Sequence, residues 1–212
     1  MSSSGLIGFD LDGTLVDSAA GIHASLLAAC TALDVTPPSR DALQTRIGPP
    51  LREYLPGLLG LTEAERDRLL EPLLNAFRQH HDLEGWALFR LYEGVLELLQ
   101  TLQAEGWQLH VVTLKPAPLA AQVLERSGIG SLVQSLHAPQ PGGRIHKAAC
   151  LQRLRQPGLP VHCYVGDTAG DQRAAAEAGY GFIAAGYGYG GDLDAVHRIS
   201  SPLDLLQALA TG

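Results

Sequence analysis

A short apolar run, Leu6-Ile7-Gly8-Phe9, ends abruptly in acidic and glycine residues. It is too short for a helix and fits a buried strand. From Asp17 onward the spacing changes. Ile22, Leu26, Leu27, Cys30 and Leu33 fall on one side of a helix that stops before Thr36-Pro37-Pro38. Leu43, Ile47 and Leu51 continue the pattern around Gly48-Pro49-Pro50, and Thr62 and Glu65 stand in capping-box spacing ahead of Leu69, Leu70, Leu73, Leu74 and Phe77. Between positions 17 and 87 the pattern predicts helices and no convincing strand.

After Tyr92-Glu93-Gly94 the pattern alternates between helix and strand. Leu96, Leu99 and Leu102 form a helical stripe closed by Gly106, and Leu109-His110-Val111-Val112 follows as a strand. A helix over 118–127 stops at Gly128, a weak strand is expected near 132–136, and a helix over 147–155 stops before Pro157-Gly158. Val161-His162-Cys163-Tyr164-Val165 is the next strand, Ala174 to Ala178 a helix closed at Gly179, Phe182-Ile183-Ala184 a further strand, and 203–209 a final helix. These units need the first strand to complete their sheet. The expected fold class is therefore α/β: a doubly wound parallel sheet, Rossmann-like, over 1–16 and 88–212, with an all-helical insertion over 17–87.

Composition narrows the function classes. Of 212 residues 46% are hydrophobic and 17% charged, far from a disordered chain, and the length allows a core with an insertion. No stretch of about 18 residues is continuously apolar, so no membrane span is expected. Fifteen Lys and Arg against 22 Asp and Glu give a net charge of −7, and no basic stripe offsets it, so nucleic acid is not an expected partner. Met1-Ser2-Ser3-Ser4-Gly5 lacks the features of a secretory signal, which makes the cytoplasm the expected location. Cys30, Cys150 and Cys163 are odd in number and widely spaced, and read as small buried apolar residues. The run Gly186-Tyr187-Gly188-Tyr189-Gly190-Gly191 is not a G-x-G-x-x-G fingerprint and reads as a flexible loop before Asp192.

The chemistry-bearing residues gather at strand ends. Asp10-Leu11-Asp12-Gly13-Thr14 follows the first strand, at the edge where open α/β sheets place ligands, and the two carboxylates can point the same way. Such a pair invites a divalent cation with oxygen ligands, although an acidic turn explains it as well. Thr113 ends the second core strand, and Gly166-Asp167-Thr168-Ala169-Gly170-Asp171 follows a later one. Lys147, one of only two lysines with Lys115, opens the helix ahead of that strand; its ammonium could balance the acids or grip an anion, or simply sit at the surface.

Taken together, the D-x-D-x-T strand end, the Thr strand end, the Lys-led helix and the G-D-x-x-x-D strand end resemble, in that order, the four motifs of the haloacid dehalogenase superfamily. Residues 9–18 (FDLDGTLVDS), Ile47-Gly48-Pro49-Pro50-Leu51, Val112-Thr113-Leu114-Lys115-Pro116 and Val165-Gly166-Asp167 look like its phosphoglycolate-phosphatase-like branch. The resemblance covers nearly the whole chain. It implies a phosphoric monoester hydrolase in which Asp10 attacks phosphorus and Asp12 protonates the leaving alcohol, then activates water. Thr113 and Lys147 would bind phosphoryl oxygens. Mg²⁺ would be held by Asp10, the Asp12 carbonyl and Asp167, with Asp171 assisting. A loosely bonded phosphoryl transition state needs charge neutralisation and in-line positioning above all.

Asp12 favours phosphate esters over halides, which leave no alkoxide to protonate. The absence of lysine between positions 17 and 87 disfavours phosphonate cleavage through a Schiff base. Relatives commonly carry Asn where Leu114 stands, which leaves an amide contact to substrate missing. Between the two lysines, Lys147 is preferred for its helix-start position, and Lys115-Pro116 is read as part of the strand-two motif. The insertion resembles the small helical cap of this branch, with hinges near Asp17 and Leu88. His23, Arg46, Gly48 and Arg52 are its candidate substrate contacts. His80 and His81 are adjacent on a helix, so they diverge by about 100° and are assigned no metal.

The expected activity is thus Mg²⁺-dependent hydrolysis of a small phosphorylated metabolite, phosphoglycolate first, by a monomer or homodimer. A phosphosugar mutase of the same branch and a phospho-accepting signalling domain are the rivals.

Overall fold

The structure, a computed structural model, describes residues 5–155, 158–191, 193–195 and 197–210. Of the positions used above, residues 1–4, Pro157 and Asp192 lie outside the described ones. The chain divides into two compact units, Met1–Asp17 with Arg90–Gly212, and Ser18–Phe89.

Along the chain come β1 (Leu6–Phe9), β2 (Val16–Asp17), α1 (Ala19–Ala32), α2 (Arg40–Gln44), α3 (Leu51–Leu59) and α4 (Glu63–Leu83). They are followed by β3 (Arg90–Leu91), α5 (Val95–Ala104), β4 (Gln108–Val112), α6 (Ala117–Arg126), β5 (Ser135–His137) and α7 (Lys147–Leu154). The last elements are β6 (Val161–Gly166), α8 (Ala169–Ala178), β7 (Gly181–Ala185), β8 (His197–Ile199) and α9 (Asp204–Ala210).

The first unit is built on a parallel six-stranded sheet in the order β5-β4-β1-β6-β7-β8. Every residue of β1 is buried, as expected of a strand covered by helices on both faces. From β1 the chain winds outward through β4 and β5 on one side and through β6, β7 and β8 on the other. The carboxyl end of β1 is therefore the topological switch point, where α/β sheets open a crevice. Register aligns the three central strands: Phe9 is level with Val111 of β4 and Val165 of β6. Asp10, Thr113 and Asp167 thus leave the sheet at one edge. Tyr164, Leu151, Leu154 and Ala175 fill the core beneath β1 and β6 on the α7 and α8 side. Cys30, Cys150 and Cys163 are buried free thiols.

Several features differ from the sequence expectation, among them Leu96, read as part of the α5 stripe but 43% exposed while Val95 and Leu98 are buried. The chain makes a two-stranded ribbon, with Val16 opposite Leu91 and Asp17 opposite Arg90, too short to leave an alternation in the sequence. Strand β8 pairs beside β7 with only three residues, of which Ile199 alone is buried. Helix α8 begins at Ala169, earlier than its apolar stripe, because Thr168 caps it: the Thr168 hydroxyl accepts the Asp171 N–H while Asp171 accepts the Thr168 N–H.

In the helical unit, α1 packs on α4. The buried face of α1 is Gly21, Ser25, Leu26, Ala29 and Cys30, whereas Leu27, assigned to the stripe above, is 44% exposed. Small residues occupy this face because Gly21 lies against the Gly85 carbonyl, where a Cβ would stand 2.0 Å away, and Ser25 faces His80 and His81 of α4. His80 and His81 do not diverge as their positions imply: both Nδ1 atoms lie 3.2 Å from the Ser25 hydroxyl oxygen. That hydroxyl donates to the Gly21 carbonyl at 2.7 Å, so both imidazoles donate to it through Nδ1–H. The Thr62/Glu65 capping box opens α4. Among the described residues no helix is long and apolar enough to cross a membrane.

Candidate active site

Asp10 leaves β1 with its N–H bonded to the Val165 carbonyl at 2.9 Å, which fixes the backbone just where the crevice opens. The chain then turns tightly: Leu15 and Val16 both donate to the Leu11 carbonyl at 2.9 and 3.0 Å. Gly13 in this turn has φ 82°, and a Cβ there would stand 2.2 Å from Asp167 Oδ2. Only glycine lets the two strand ends come this close.

Lys147, the first residue of α7, places its Nζ 2.9 Å from Asp10 Oδ2 and 2.6 Å from Asp171 Oδ1. Lys115 Nζ lies 3.1 Å from Asp12 Oδ1. Each of the two lysines thus serves a different member of the aspartate pair. Thr113 is buried, and its hydroxyl oxygen accepts the Lys115 N–H at 3.2 Å, which leaves the hydroxyl proton available to an incoming oxyanion. Asp171 is fully engaged: Oδ1 accepts from Lys147, and Oδ2 accepts from the Thr168 N–H at 3.1 Å and the Thr168 hydroxyl at 2.5 Å. Tyr164 closes the floor, donating its hydroxyl to the Val112 carbonyl at 2.8 Å.

Two carboxylate oxygens stand out. Asp10 Oδ1 and Asp167 Oδ1 are buried and have no hydrogen-bond partner among the described residues. One oxygen from each of Asp10, Asp167 and Asp171 lies within 4.8 Å of the others. Burial, and then the neighbouring carboxylates, push the Asp167 pKa up to about 8. Burial also raises Asp10, against the pull of Lys147 and with a further push from Asp171. For Lys147, burial opposes the charge, but Asp10 and Asp171 outweigh it and hold its pKa above the ordinary lysine value. The site therefore carries more negative charge than its own lysine relieves. Orphaned, buried, all-oxygen donors of this kind fit a small hard cation such as Mg²⁺.

The structure brings Asp10, Thr113, Lys147, Asp167 and Asp171 to one edge of the sheet, with Asp12 on the turn beside them. Leu114, on the loop after β4, is 39% exposed. The cap candidates lie in the helical unit. His23 is half-buried on α1, Gly48 half-buried, and Arg46 exposed after α2. Arg52 on α3 is exposed and already paired, its guanidinium forking onto both oxygens of Glu71.

Sequence reasoning missed two contributors. The ion pair of Lys115 with Asp12 was hidden because the partners are 103 residues apart, although the scarcity of lysine was a signal. Nor is the glycine-rich run a free loop: the Tyr189 N–H donates to Asp167 Oδ2 at 2.8 Å, and Tyr189 is buried. A main-chain donor leaves no residue-type signature, so nothing in the sequence could have shown it.

Comparison with known proteins agrees with this arrangement. The family model of the haloacid dehalogenase-like hydrolases matches residues 7–185. The tyrosine-protein kinase PtkA of Mycobacterium tuberculosis is 35% identical over 191 residues, spanning 87% of this chain but 63% of that protein, so the chain covers less than two thirds of that relative. A 5′-nucleotidase of Pseudomonas aeruginosa is 32% identical, spanning 87% of this chain and 83% of its own length. Among solved structures, a predicted phosphoglycolate phosphatase from Haemophilus somnus superposes with a TM-score of 0.81 at 28% identity, covering 98% of this chain and 99% of that one. With a family model spanning most of its length and the motif carboxylates and lysine gathered at one sheet edge, the chain belongs to the haloacid dehalogenase-like hydrolases.

Proposed function

We propose that this chain is a Mg²⁺-dependent phosphatase that hydrolyses a small phosphate monoester through a phosphoryl group carried on Asp10. The observation that supports this most is the division of charge between Asp10 and Asp12. Asp10 is buried, held at Oδ2 by Lys147, and orphaned at Oδ1. Asp12, two residues on, is 19% exposed at its side chain and faces a different ammonium. Two carboxylates in unlike surroundings suit unlike tasks.

In the first step an Asp10 carboxylate oxygen attacks phosphorus as the ester P–O bond breaks, and Asp12, having taken up a proton brought by the substrate monoanion, gives it to the departing alkoxide. In the second, Asp12 takes a proton from water as that water attacks phosphorus, releasing inorganic phosphate and restoring Asp10. Lys147 and the Thr113 hydroxyl supply positive charge and a hydrogen bond to the phosphoryl oxygens. Asp10 and Asp167, through their orphaned oxygens, and the Asp12 carbonyl would hold Mg²⁺, which neutralises phosphoryl charge when bound. Asp171, with both oxygens occupied, is best suited to fixing Lys147.

The helical unit, Ser18–Phe89, is proposed as the family-type cap that supplies specificity, with His23, Arg46, Gly48 and Arg52 as the residues to test. Phosphoglycolate is the first substrate to try, on the resemblance to that branch, and a nucleoside monophosphate the second, on the similarity to the 5′-nucleotidase.

The test is a phosphate-release screen over phosphoglycolate, nucleoside monophosphates and phosphotyrosine, with and without Mg²⁺, using Asp10→Asn as control. Release that requires both Mg²⁺ and Asp10 supports the reading. Transfer from ATP to a tyrosine peptide, or phosphoryl migration on β-glucose 1-phosphate without net release, would replace it with a kinase or a mutase.

A further inference from the structure

The segment Gly186-Tyr187-Gly188-Tyr189-Gly190-Gly191 has no part in the reaction above, yet it is built tightly around Asp167. A Cβ on Gly188 would stand 2.2 Å from the Gly13 carbonyl oxygen and 2.4 Å from Asp167 Cβ, and one on Gly190 would stand 1.7 Å from the Asp167 carbonyl oxygen. Backbone this close to backbone leaves room for hydrogen alone. Between these two glycines, the Tyr189 N–H donates to Asp167 Oδ2 at 2.8 Å, while Asp167 Oδ1 has no partner among the described residues.

The other end of the same residue holds the β2–β3 ribbon. The Tyr189 hydroxyl donates to Asp17 Oδ1 at 2.9 Å, and Arg90 donates to Asp17 Oδ2 from Nε and Nη2 at 3.1 and 3.0 Å. Tyr187 reinforces the link: its hydroxyl donates to the Thr14 carbonyl at 3.0 Å, and its ring meets Tyr92 edge-on at 4.9 Å between centroids. Asp17 and Arg90 are the residues at which the chain leaves the α/β unit and returns to it. One side chain and its own amide therefore connect the cation ligand to the ribbon that carries both crossings.

We propose that the 186–191 segment, through Tyr189, couples cation binding at Asp167 to the order of the β2–β3 ribbon, and that Tyr189 is a positioning residue for the metal site. The inference rests on the Mg²⁺ reading above and extends it to a part of the chain that touches no substrate or cation. A carboxylate offering one oxygen to a cation is aimed by whatever holds its other oxygen, and loss of such an outer partner weakens metal binding by about 10–100-fold. Coupling between two sites is reciprocal, so an ordered ribbon must favour cation binding if the cation favours the ordered ribbon, and cutting the Asp17 link should remove that contribution to cation affinity.

The experiment is Mg²⁺ titration by calorimetry on the full chain and its Tyr189→Phe, Asp17→Ala and doubly substituted forms, with amide exchange of peptides over 15–17 and 90–92 followed with and without Mg²⁺. Metal-free melting temperatures serve as the control for folding. Both substitutions keep the Tyr189 N–H on Asp167 and cut only the hydroxyl link that anchors it to the ribbon, so each single substitution should weaken Mg²⁺ measurably but by less than the about 10-fold that begins the range for losing an outer partner outright. The double substitution should be no worse than the stronger single one, because both cut the same link. Mg²⁺ should slow exchange in the ribbon of the unsubstituted protein and not in the Tyr189→Phe form. Should Tyr189→Phe fold poorly, Asp17→Ala carries the same measurement. Unchanged affinity in the variants, or losses that simply add, would overturn the coupling and leave the phosphatase reading standing. Failure of the unsubstituted protein to bind Mg²⁺ would overturn both.

Discussion

Lys115 grips Asp12 with its ammonium 3.1 Å from Oδ1 and 3.3 Å from Oδ2, while Lys147 takes Asp10 and Asp171. The Lys115 side chain is 5% exposed, so its charge is little screened by water. Contact with both oxygens fixes the plane of the Asp12 carboxyl and so the direction in which it can pass a proton. On the proposed mechanism this makes Lys115 an orienting group for proton transfer, distinct from the phosphoryl-binding role of Lys147.

Replacing Lys115 by Met should therefore lower kcat by about 10²-fold, the smaller end of what a positioned acid or base contributes, with KM nearly unchanged. Stability should fall by about 1–3 kcal/mol, since Asp12 retains some access to water. Steady-state kinetics and chemical denaturation check both. A KM effect larger than the kcat effect would place Lys115 on the phosphoryl group instead.

Lys147→Ala should behave differently. It leaves Asp10 and Asp171 buried without their cation, and breaking a buried pair on one side costs about 3–5 kcal/mol. Loss of its charge from the phosphoryl oxygens should also cost about 10²–10³ in kcat. Added Mg²⁺ should restore part of the lost melting temperature, which a thermal scan with and without the metal will show. An effect as mild as that of an exposed lysine would remove Lys147 from the site.

The crowded carboxylates set the pH dependence of the metal-free protein. Asp167 binds its proton up to about pH 8 when folded, but releases it near the ordinary carboxylate value when unfolded. Over that window the folded state holds more protons, so stability must fall as pH rises from the ordinary carboxylate range to about 8. Mg²⁺ removes the cause, and its stabilising effect should grow across the same range. Asp167→Asn should flatten the metal-free profile and lose the Mg²⁺ response. Melting temperatures measured against pH with EDTA and with Mg²⁺ are the test.

On the acid side the controlling group lies inside the sheet. His110 Nδ1 is 2.7 Å from the Ser135 hydroxyl, which is 2.8 Å from His137 Nε2, while His110 Nε2 is buried without a partner among the described residues. Burial, and then His137, lower the His110 pKa to about 4, and burial followed by Arg153 lowers His137. The unfolded chain takes up a proton at the ordinary histidine value, so stability present above that value is lost progressively as pH falls toward 4. His110→Leu should lose less stability than the unsubstituted protein between pH 7 and the mid-acid range. Parallel slopes for the two would exclude His110 as the cause.

The parts of this molecule that were legible in its sequence are those where a residue type and a strand end coincide. Asp10, Thr113 and Asp167 each follow an apolar strand, and parallel strands in one sheet bring their carboxyl ends to one edge, so order along the chain sufficed to gather them. Lys147 was legible as the start of a helix. What escaped was everything decided by tertiary contact. Leu27 fits a helical stripe by spacing, but the buried face belongs to Gly21, pressed against the Gly85 carbonyl, and Ser25, bonded to His80 and His81 of α4. The two-residue strands β2 and β3 carry no periodicity at all. Tyr189 acts through its amide, which every residue but proline possesses, so its role appears only when Asp167 is seen beneath it.

The capture of phosphorus by Asp10 is tested most directly by quenching the protein in acid during turnover of an ester it hydrolyses and mapping the peptides by mass spectrometry. The account predicts one added phosphoryl group on the peptide bearing Asp10, removed by hydroxylamine and absent in Asp10→Asn. Hydrolysis at full rate with no phosphoryl group on Asp10, or with the group on another residue, would contradict it.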